Sequence, residues 1–229
     1  MEFWFSEFHT PDVKHSIRVN KQLYSKQSDY QRIDIFETPE FGRVLTLDGN
    51  VMLTERDEFI YDEMIVHVPM AVHREAKDIL VIGAGDGGVV RELTRYDRVE
   101  RIDLVEMDPQ VVEACRAYLP GNACRMDDRR VHIYFENALK FIRQCEEEYD
   151  LIIVDSSDPF GPNEQRDGIE KLSQRSEGEI RLYLNRLYAF PRNGNNQCSI
   201  CGRQRNNSCS GSVFTGKRYD AACSDHFTS

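Results

Sequence analysis

The chain has 229 residues with 29 basic and 39 acidic side chains, a formal charge of -10 that disfavours general nucleic-acid binding. Its hydrophobic content of 40% is enough for a core, yet no apolar run approaches the ~20 residues that span a bilayer. These figures suit one or two soluble domains and exclude a helical membrane protein. Acids at Glu2 and Glu7 do not fit a signal peptide, so we expect a cytoplasmic protein. Its seven irregularly spaced cysteines favour reduced thiols.

The charge is unevenly distributed along the chain. Residues 1–165 carry 33 acids and 19 bases, a formal charge of -14, whereas residues 166–229 carry 6 acids and 10 bases, or +4. The second stretch also contains four of the seven cysteines and an Asn/Ser/Gly/Cys-rich run at 193–212. We therefore expect the two stretches to differ in structure.

The first part of the chain alternates short apolar segments with turn residues. Ile33 and Ile35 precede the turn signal Thr-Pro-Glu-Phe-Gly at 38–42, and Asp-Gly-Asn at 48–50 is a second turn signal. Such short periods predict β-hairpins. The pattern therefore predicts a small N-terminal β domain over residues 1–58.

From residue 59 the pattern changes to helices alternating with buried strands. The apolar residues of 59–72 have helical spacing and predict a linking helix. Continuous apolar segments predict four strands, at 79–82, 102–105, 131–135 and 151–154. Helices are predicted between them, from the glycine loop to about Tyr96, after Asp108-Pro109 and from Ala138. This order indicates an α/β fold, a Rossmann-like parallel sheet of the methyltransferase type over residues 59–164.

The first turn from strand to helix is rich in glycine. It reads Gly83-Ala84-Gly85-Asp86-Gly87-Gly88, and glycine permits a tight turn and close approach of a ligand. A carboxylate at Asp86 would repel the pyrophosphate of a dinucleotide. The loop therefore favours a neutral or cationic ligand such as an adenosyl sulfonium, and a plain βα connection is the alternative.

Polar residues also follow the second and third predicted strands. Glu106 lies 21 residues beyond Gly85, a spacing at which an acid accepts hydrogen bonds from ribose hydroxyls. An ordinary loop acid is the alternative. Asn137 is placed either to reach an adenine or to cap the helix from Ala138, and the sequence does not decide between them.

The fourth predicted strand ends in two carboxylates, Asp155 and Asp158, on a loop that contains Pro159 and Pro162. Acids at the ligand-binding edge of a parallel sheet form a site for a cation. Capping of a following helix is the alternative, although the two prolines disfavour a helix that starts at Asp155.

These residues resemble the polyamine aminopropyltransferase family, of which spermidine synthase is the type. The resemblance covers about residues 3–164 and lies in Tyr30-Gln31, Leu47-Asp48-Gly49, the run from Glu55 to Met64, the loop from Gly83 to Gly88 with the four residues after it, Glu106-Met107-Asp108, and the segment from Asp155 to Pro162.

Three positions depart from the family pattern. Ala84 stands where a third glycine is usual, and Asp62 stands where His or Gln is common. Asn137-Ala138 replaces the usual Asp-Gly or Asp-Ala, although Asn still offers an acceptor to an adenine amine.

The resemblance implies transfer of an aminopropyl group from the co-substrate decarboxylated S-adenosylmethionine to putrescine, which gives spermidine and methylthioadenosine. It implies that Asp155 accepts a proton. The amine substrate would contact Tyr61, Asp62, Asp86, Ser156, Ser157 and Asp158. The thioadenosine pocket would contain Gln31, Gly83, Gly85, Glu106, Asn137, Ala138 and Pro162. No permanently bound cofactor and no metal are implied, and family members form homodimers or homotetramers.

Residues 165–229 do not resemble the family. Only 64 residues follow Gln165, fewer than the roughly 100 that would complete a seven-stranded domain. We therefore expect the C-terminal part of the sheet to be missing. A frameshifted or disordered tail, a divergent terminus, and a zinc site at Cys198 and Cys201 with Cys209 and Cys223 are the alternatives.

Two functional alternatives remain at this point. Impaired transfer is expected from a truncated chain, and the extreme case is a non-catalytic member that binds nucleoside without turnover. The other alternative is an N-methyltransferase on the same fold that uses S-adenosylmethionine itself and methylates putrescine.

Overall fold

The structure is a computed structural model that describes residues 2–145, 147 and 149–155, and the backbone of 181–184. Within these ranges, no helix combines the length and the apolar character needed to cross a bilayer.

The N-terminal region consists of antiparallel strands. Two form a separate hairpin, β1 (Phe3–Thr10) and β2 (Val13–Val19). The other four form a meander, β3 (Lys21–Gln27), β4 (Arg32–Thr38), β5 (Gly42–Leu47) and β6 (Asn50–Thr54). Asp48 and Gly49 both have positive φ, at 50° and 80°, as a two-residue hairpin turn requires. The predicted hairpins are therefore confirmed.

Five strands form the parallel sheet of the second region. They are β7 (Asp78–Gly83), β8 (Arg101–Glu106), β9 (Val131–Phe135), β10 (Leu151–Asp155) and β11 (Arg181–Leu184). Their order in the sheet is β11-β10-β7-β8-β9, and every pair is parallel. The strand order reverses direction next to β7, so the carboxyl ends of β7 and β10 flank the crevice in which such sheets bind ligands.

Helices cover both faces of this sheet. They are α1 (Glu58–Val72), α2 (Gly88–Leu93), α3 (Pro109–Tyr118), α4 (Pro120–Ala123) and α5 (Ala138–Gln144). The first helix contains Pro69 near its end, and α2 ends three residues before the predicted Tyr96. Residues beyond Leu93 form turns instead of continuing the helix.

Helix α3 also packs against the N-terminal meander. Ile33, Ile35 and Leu45 of the meander form one buried cluster with Val111 and Cys115 of α3. The two isoleucines of β4 are 0% exposed. Val112 of the same helix is buried in the core that packs on the sheet. Helix α3 therefore belongs to the cores of both regions and holds the meander beside the carboxyl edge of the sheet.

One element differs from the expectation for the tail. The backbone of Arg181–Leu184 pairs in parallel with Leu151–Val154 as an added edge strand. Main-chain hydrogen bonds of a strand need no particular side chains, so an edge position can be filled without any motif in the sequence.

Candidate active site

The turn after β7 lies directly against the end of β10. Gly83 is paired with Asp155 across the sheet, and the Ala84 N–H donates to the Asp155 carbonyl oxygen at 3.0 Å. Ala84 has φ +59°, in the left-handed region that favours glycine. The departure at Ala84 therefore costs some backbone strain but leaves the turn intact.

The Asp155 side chain is held by a residue of α1. The Tyr61 hydroxyl donates to Asp155 Oδ1 at 2.6 Å, across 94 positions of sequence. Both side chains are only partly buried, so the carboxylate is reachable from solvent. The structure thus brings together two of the residues that the resemblance implicates.

Asp62, next to Tyr61 on α1, lies deeper in the protein. It is 4% exposed and packs on Gly88. Arg91 donates to both carboxylate oxygens of Glu58, at 3.0 and 2.8 Å, and lies 3.7 Å from Asp62 Oδ2. Asp62 Oδ2 is itself buried, with no hydrogen-bond partner among the residues that the structure describes. Glu58 and Arg91 lie in segments that carry the resemblance, but no role was predicted for either of them.

Burial raises the pKa of Asp62 to about 10, and the nearby charges of Asp86, Glu58 and Asp155 act in the same direction. Burial also acts to raise the pKa of Glu58, but its hydrogen bonds with Arg91 and Asp62 outweigh that effect and the net shift is downward. At neutral pH the pair therefore carries one proton, which stays on Asp62.

We expect Asp62→Asn to stabilise the protein increasingly as pH rises. An acid whose folded-state pKa is raised contributes full stability only below its unfolded pKa of about 3.9, and that stability is lost as pH rises toward the folded value near 10. Asn stays neutral and escapes this loss. The difference in unfolding temperature between variant and wild type, measured at pH 5, 7 and 9, should widen by several degrees.

The exposed Asp127 gives the control, because Asp127→Asn should shift the unfolding temperature equally at the three pH values. A constant difference for Asp62→Asn would show that Asp62 is ionised throughout.

Asp86 occupies the middle of the glycine loop. Its Oδ1 accepts a hydrogen bond from the Gly88 N–H at 2.9 Å, at the first residue of α2. Burial raises the pKa of Asp86 although this hydrogen bond opposes the shift. The side chain therefore closes the turn of the loop.

Glu106 and Gly85 touch across the neighbouring strand ends. A Cβ atom on Gly85 would lie 2.8 Å from Glu106 Oε2, so only glycine fits there without displacing the acid. Glu106 Oε1 accepts from the Asp108 N–H at 2.9 Å. Burial raises the pKa of Glu106. The predicted pair of loop and ribose-binding acid is thus adjacent in space.

Asn137 caps α5. Its Oδ1 accepts from the backbone N–H groups of Leu139 and Lys140, at 3.0 and 3.2 Å. The capping alternative is therefore realised, and the oxygen expected to meet adenine is already used. Ala138, beside it, is half-buried against a cluster of buried side chains that includes Leu80, Val105 and Ile152 of the sheet. The predicted contact with adenine would then be made by the Asn137 amide nitrogen, which donates hydrogen bonds.

Gln31 lies in the turn between β3 and β4 and reaches the second region. Its Nε2 donates to Asp108 Oδ2 at 3.2 Å, and the Ser28 hydroxyl donates to the same oxygen at 2.6 Å. Asp108 Oδ1 accepts from the Gln110 N–H at 3.0 Å, which confirms the predicted helix cap. The contact with Ser28 was not predicted, because no local pattern signals it.

One group on α1 and α2, next to Asp62 and Arg91, has metal-ligand composition. Ligand atoms of Glu63, His67 and Glu92 lie within 4.8 Å of one another. Glu92 already accepts from Arg91 at 2.9 Å and from Arg95 at 2.6 Å. Two guanidinium groups oppose a further cation at that carboxylate, so we assign no metal there.

Some predicted residues lie outside the described part of the chain. They are Ser156, Ser157, Asp158 and Pro162 of the putrescine and thioadenosine sites, and Cys198, Cys201, Cys209 and Cys223 of the zinc alternative.

The chain is similar to known families and to curated proteins. The family described as the spermine/spermidine synthase domain matches residues 58–175, and the spermidine synthase tetramerisation domain matches residues 3–55. Polyamine aminopropyltransferases of Clostridium botulinum (strain Alaska E43 / Type E3) and Alkaliphilus oremlandii (strain OhILAs) are each 62% identical over 164 residues, which is 72% of this chain and 58% of theirs.

Solved structures agree with the sequence matches. A spermidine synthase in complex with the transition-state analogue AdoDATO has a TM-score of 0.65, and spermidine synthase from Thermotoga maritima has 0.66. Each is 46% identical and covers 67% of this chain and 54% of the solved chain. The chain spans 58% of the length of the curated relatives above. With both family domains matched in order along it, the chain belongs to the spermine/spermidine synthase family.

Proposed function

We propose that this protein is a polyamine aminopropyltransferase that moves the aminopropyl group of decarboxylated S-adenosylmethionine to putrescine. The proposal rests above all on the hydrogen bond of 2.6 Å from Tyr61 to Asp155, which orients a carboxylate beside the glycine loop. A carboxylate held in this way is suited to accept a proton from an attacking amine.

The chemistry explains why a base is needed. A diamine with a pKa near 10.4 is protonated at pH 7, and freeing its lone pair costs about 4 to 5 kcal/mol. Asp155 would take that proton. The amine nitrogen then attacks the carbon bonded to the sulfonium, the carbon–sulfur bond breaks, and its electron pair neutralises the sulfur of methylthioadenosine. Because the leaving group is neutral, alignment matters more than stabilisation of an oxyanion.

The acids around Asp155 suit a dicationic substrate. Tyr61, Asp62 and Asp86 would hold the amine together with Ser156, Ser157 and Asp158. Asp62 holds the one proton of the pair that it forms with Glu58, so this group of acids has less charge than its count of carboxyls implies. A neutral Asp62 carboxyl would contact the amine by hydrogen bonding.

The nucleoside would lie along the strand ends. Glu106 would accept from the ribose hydroxyls, the adenine would lie near Asn137 and Ala138, and Gln31, Gly83, Gly85 and Pro162 would contribute to the pocket. The position of Glu106 against Gly85 supports this assignment, because it leaves the acid beside the backbone that approaches the ligand.

Assembly and location are part of the same proposal. We assign residues 1–58 to an oligomerising β domain of a homodimer or homotetramer and residues 59–164 to the catalytic domain. The match to a tetramerisation domain supports the first assignment. A cytoplasmic location fits the free thiols of Cys115, Cys124 and Cys145.

A non-catalytic nucleoside-binding protein is the second candidate. Incubation with putrescine and decarboxylated S-adenosylmethionine, followed by chromatography of the nucleosides, separates the candidates. Methylthioadenosine formed together with spermidine supports the transferase. Binding of methylthioadenosine without turnover supports the second candidate. S-adenosylhomocysteine formed from S-adenosylmethionine would instead indicate an N-methyltransferase.

A further inference from the structure

A single buried carboxylate joins the N-terminal meander to the strand-end loop after β8. Asp108 is 1% exposed and lies between Gln31 of the meander and Glu106 of the loop. Its side chain receives three hydrogen bonds, from the Ser28 hydroxyl, the Gln31 carboxamide and the Gln110 N–H. Its backbone N–H donates to Glu106 at 2.9 Å.

These contacts decide which way the Gln31 carboxamide points. A carboxylate accepts hydrogen bonds only, so the group that faces Asp108 must be the Gln31 amide nitrogen. The carboxamide oxygen is then the group that Gln31 presents elsewhere. Ser28 reinforces this arrangement, because its hydroxyl oxygen accepts from the Tyr30 and Gln31 N–H groups, at 3.1 and 3.0 Å, and so fixes the turn that carries Gln31.

We propose that Asp108 is a positioning residue that fixes Gln31 as a hydrogen-bond acceptor, and Glu106 as its neighbour, for the hydroxyl or amine donors of the nucleoside. Asp108 acts through these two side chains. The inference rests on the proposed function, since it concerns the nucleoside pocket of the same site. It also means that the N-terminal meander contributes to nucleoside affinity through one side chain.

An exchange of donor and acceptor tests this role. In Asp108→Asn the side-chain oxygen can still accept from Gln110, so the cap is retained. The new amide nitrogen is a donor and turns the Gln31 carboxamide around. The Ser28 hydroxyl can then donate to the backbone carbonyl oxygen of Gln31, which lies 3.0 Å away. We expect the variant to bind methylthioadenosine about tenfold more weakly, the value of one hydrogen bond, with little change in unfolding temperature.

The complementary substitution provides the rescue. Gln31→Glu places two carboxylates together and should weaken both binding and stability. In the double variant Gln31→Glu with Asp108→Asn, the new amide nitrogen at position 108 donates to the new carboxylate at position 31, and the other oxygen of that carboxylate is again an acceptor. Its affinity, measured by calorimetry on the full chain, should return to within about threefold of wild type, because the broken hydrogen bond is restored.

Asp150→Asn is the matched control for a purely structural effect. Asp150 accepts from the Lys77 and Asp78 N–H groups at the amino ends of β10 and β7, away from the ligand-binding ends of the strands. This change should therefore lower stability and leave nucleoside affinity unaltered.

The different failures can be told apart. Two results would overturn the positioning role alone. In the first, the wild type binds methylthioadenosine tightly and Asp108→Asn binds it with equal affinity. In the second, the double variant binds methylthioadenosine no more tightly than Gln31→Glu. A wild-type chain without affinity for methylthioadenosine would overturn the proposed function and the positioning role together.

Discussion

Asp155→Asn should lower aminopropyl transfer by about 10²- to 10⁴-fold, the usual contribution of a positioned general base. The Asn oxygen can still accept from the Tyr61 hydroxyl, which lies 2.6 Å from Asp155, so the local geometry is retained while the proton acceptor is lost. Affinity for methylthioadenosine should stay within about twofold. In the proposed mechanism the base faces the amine, so the substitution removes no hydrogen bond to the nucleoside, which would be worth about 1 kcal/mol. Turnover is measured as methylthioadenosine formed, and affinity by calorimetry.

Asp127→Asn is the control for this experiment, because Asp127 is exposed and pairs with Arg116 away from the strand ends. It should leave both quantities unchanged. Full turnover by Asp155→Asn would remove Asp155 from the mechanism. Parallel loss of turnover and nucleoside affinity would assign Asp155 to binding.

Gly88→Ala should destabilise the protein by about 1–3 kcal/mol, the range for overpacking in a close-packed interior. The added methyl group would lie 1.8 Å from Asp62 Oδ2 and 2.4 Å from its Cγ. Asp62 cannot move away easily because it is 4% exposed and lies among Glu58, Asp86 and Arg91. We expect the unfolding temperature to fall by roughly 3–10 °C for a chain of this size.

Two variants show whether the cause is the contact with Asp62. Gly121→Ala is the matched control, because a Cβ atom at Gly121 would have no atom within 4 Å, and it should be neutral or slightly stabilising. Combining Gly88→Ala with Asp62→Ala should recover part of the loss, since the two residues are in contact and their effects are not additive. If Gly88→Ala were as stable as Gly121→Ala, Asp62 would not pack on Gly88.

Contacts between near neighbours in the chain could be predicted because their causes are local. The pair Asp108-Pro109 predicted a helix start, and the structure has Asp108 as the cap of α3. The alternation of apolar strands and helices predicted the parallel sheet. For Asn137 the sequence left two uses open, and the observed hydrogen bonds to Leu139 and Lys140 select the cap.

Contacts between distant segments could not be predicted in the same way. The second carboxylate oxygen of Asp108 binds Ser28, 80 positions earlier, and this contact requires that α3 already packs under the meander. The neutral state of Asp62 depends on its burial beside Glu58 and Asp86, and helical spacing carries no information about either.

The sequence by itself determined the α/β fold of the described core, the family, and the residues at the strand ends, because hydrophobic period, turn chemistry and motif spacing are local properties of a chain. Only the tertiary structure decided how these residues act on one another. It set the hydrogen bond from Tyr61 to Asp155, the proton held by Asp62 beside Glu58, and the orientation of Gln31 on Asp108. Charge state and hydrogen-bond direction depend on burial and on neighbours that folding brings from far along the chain.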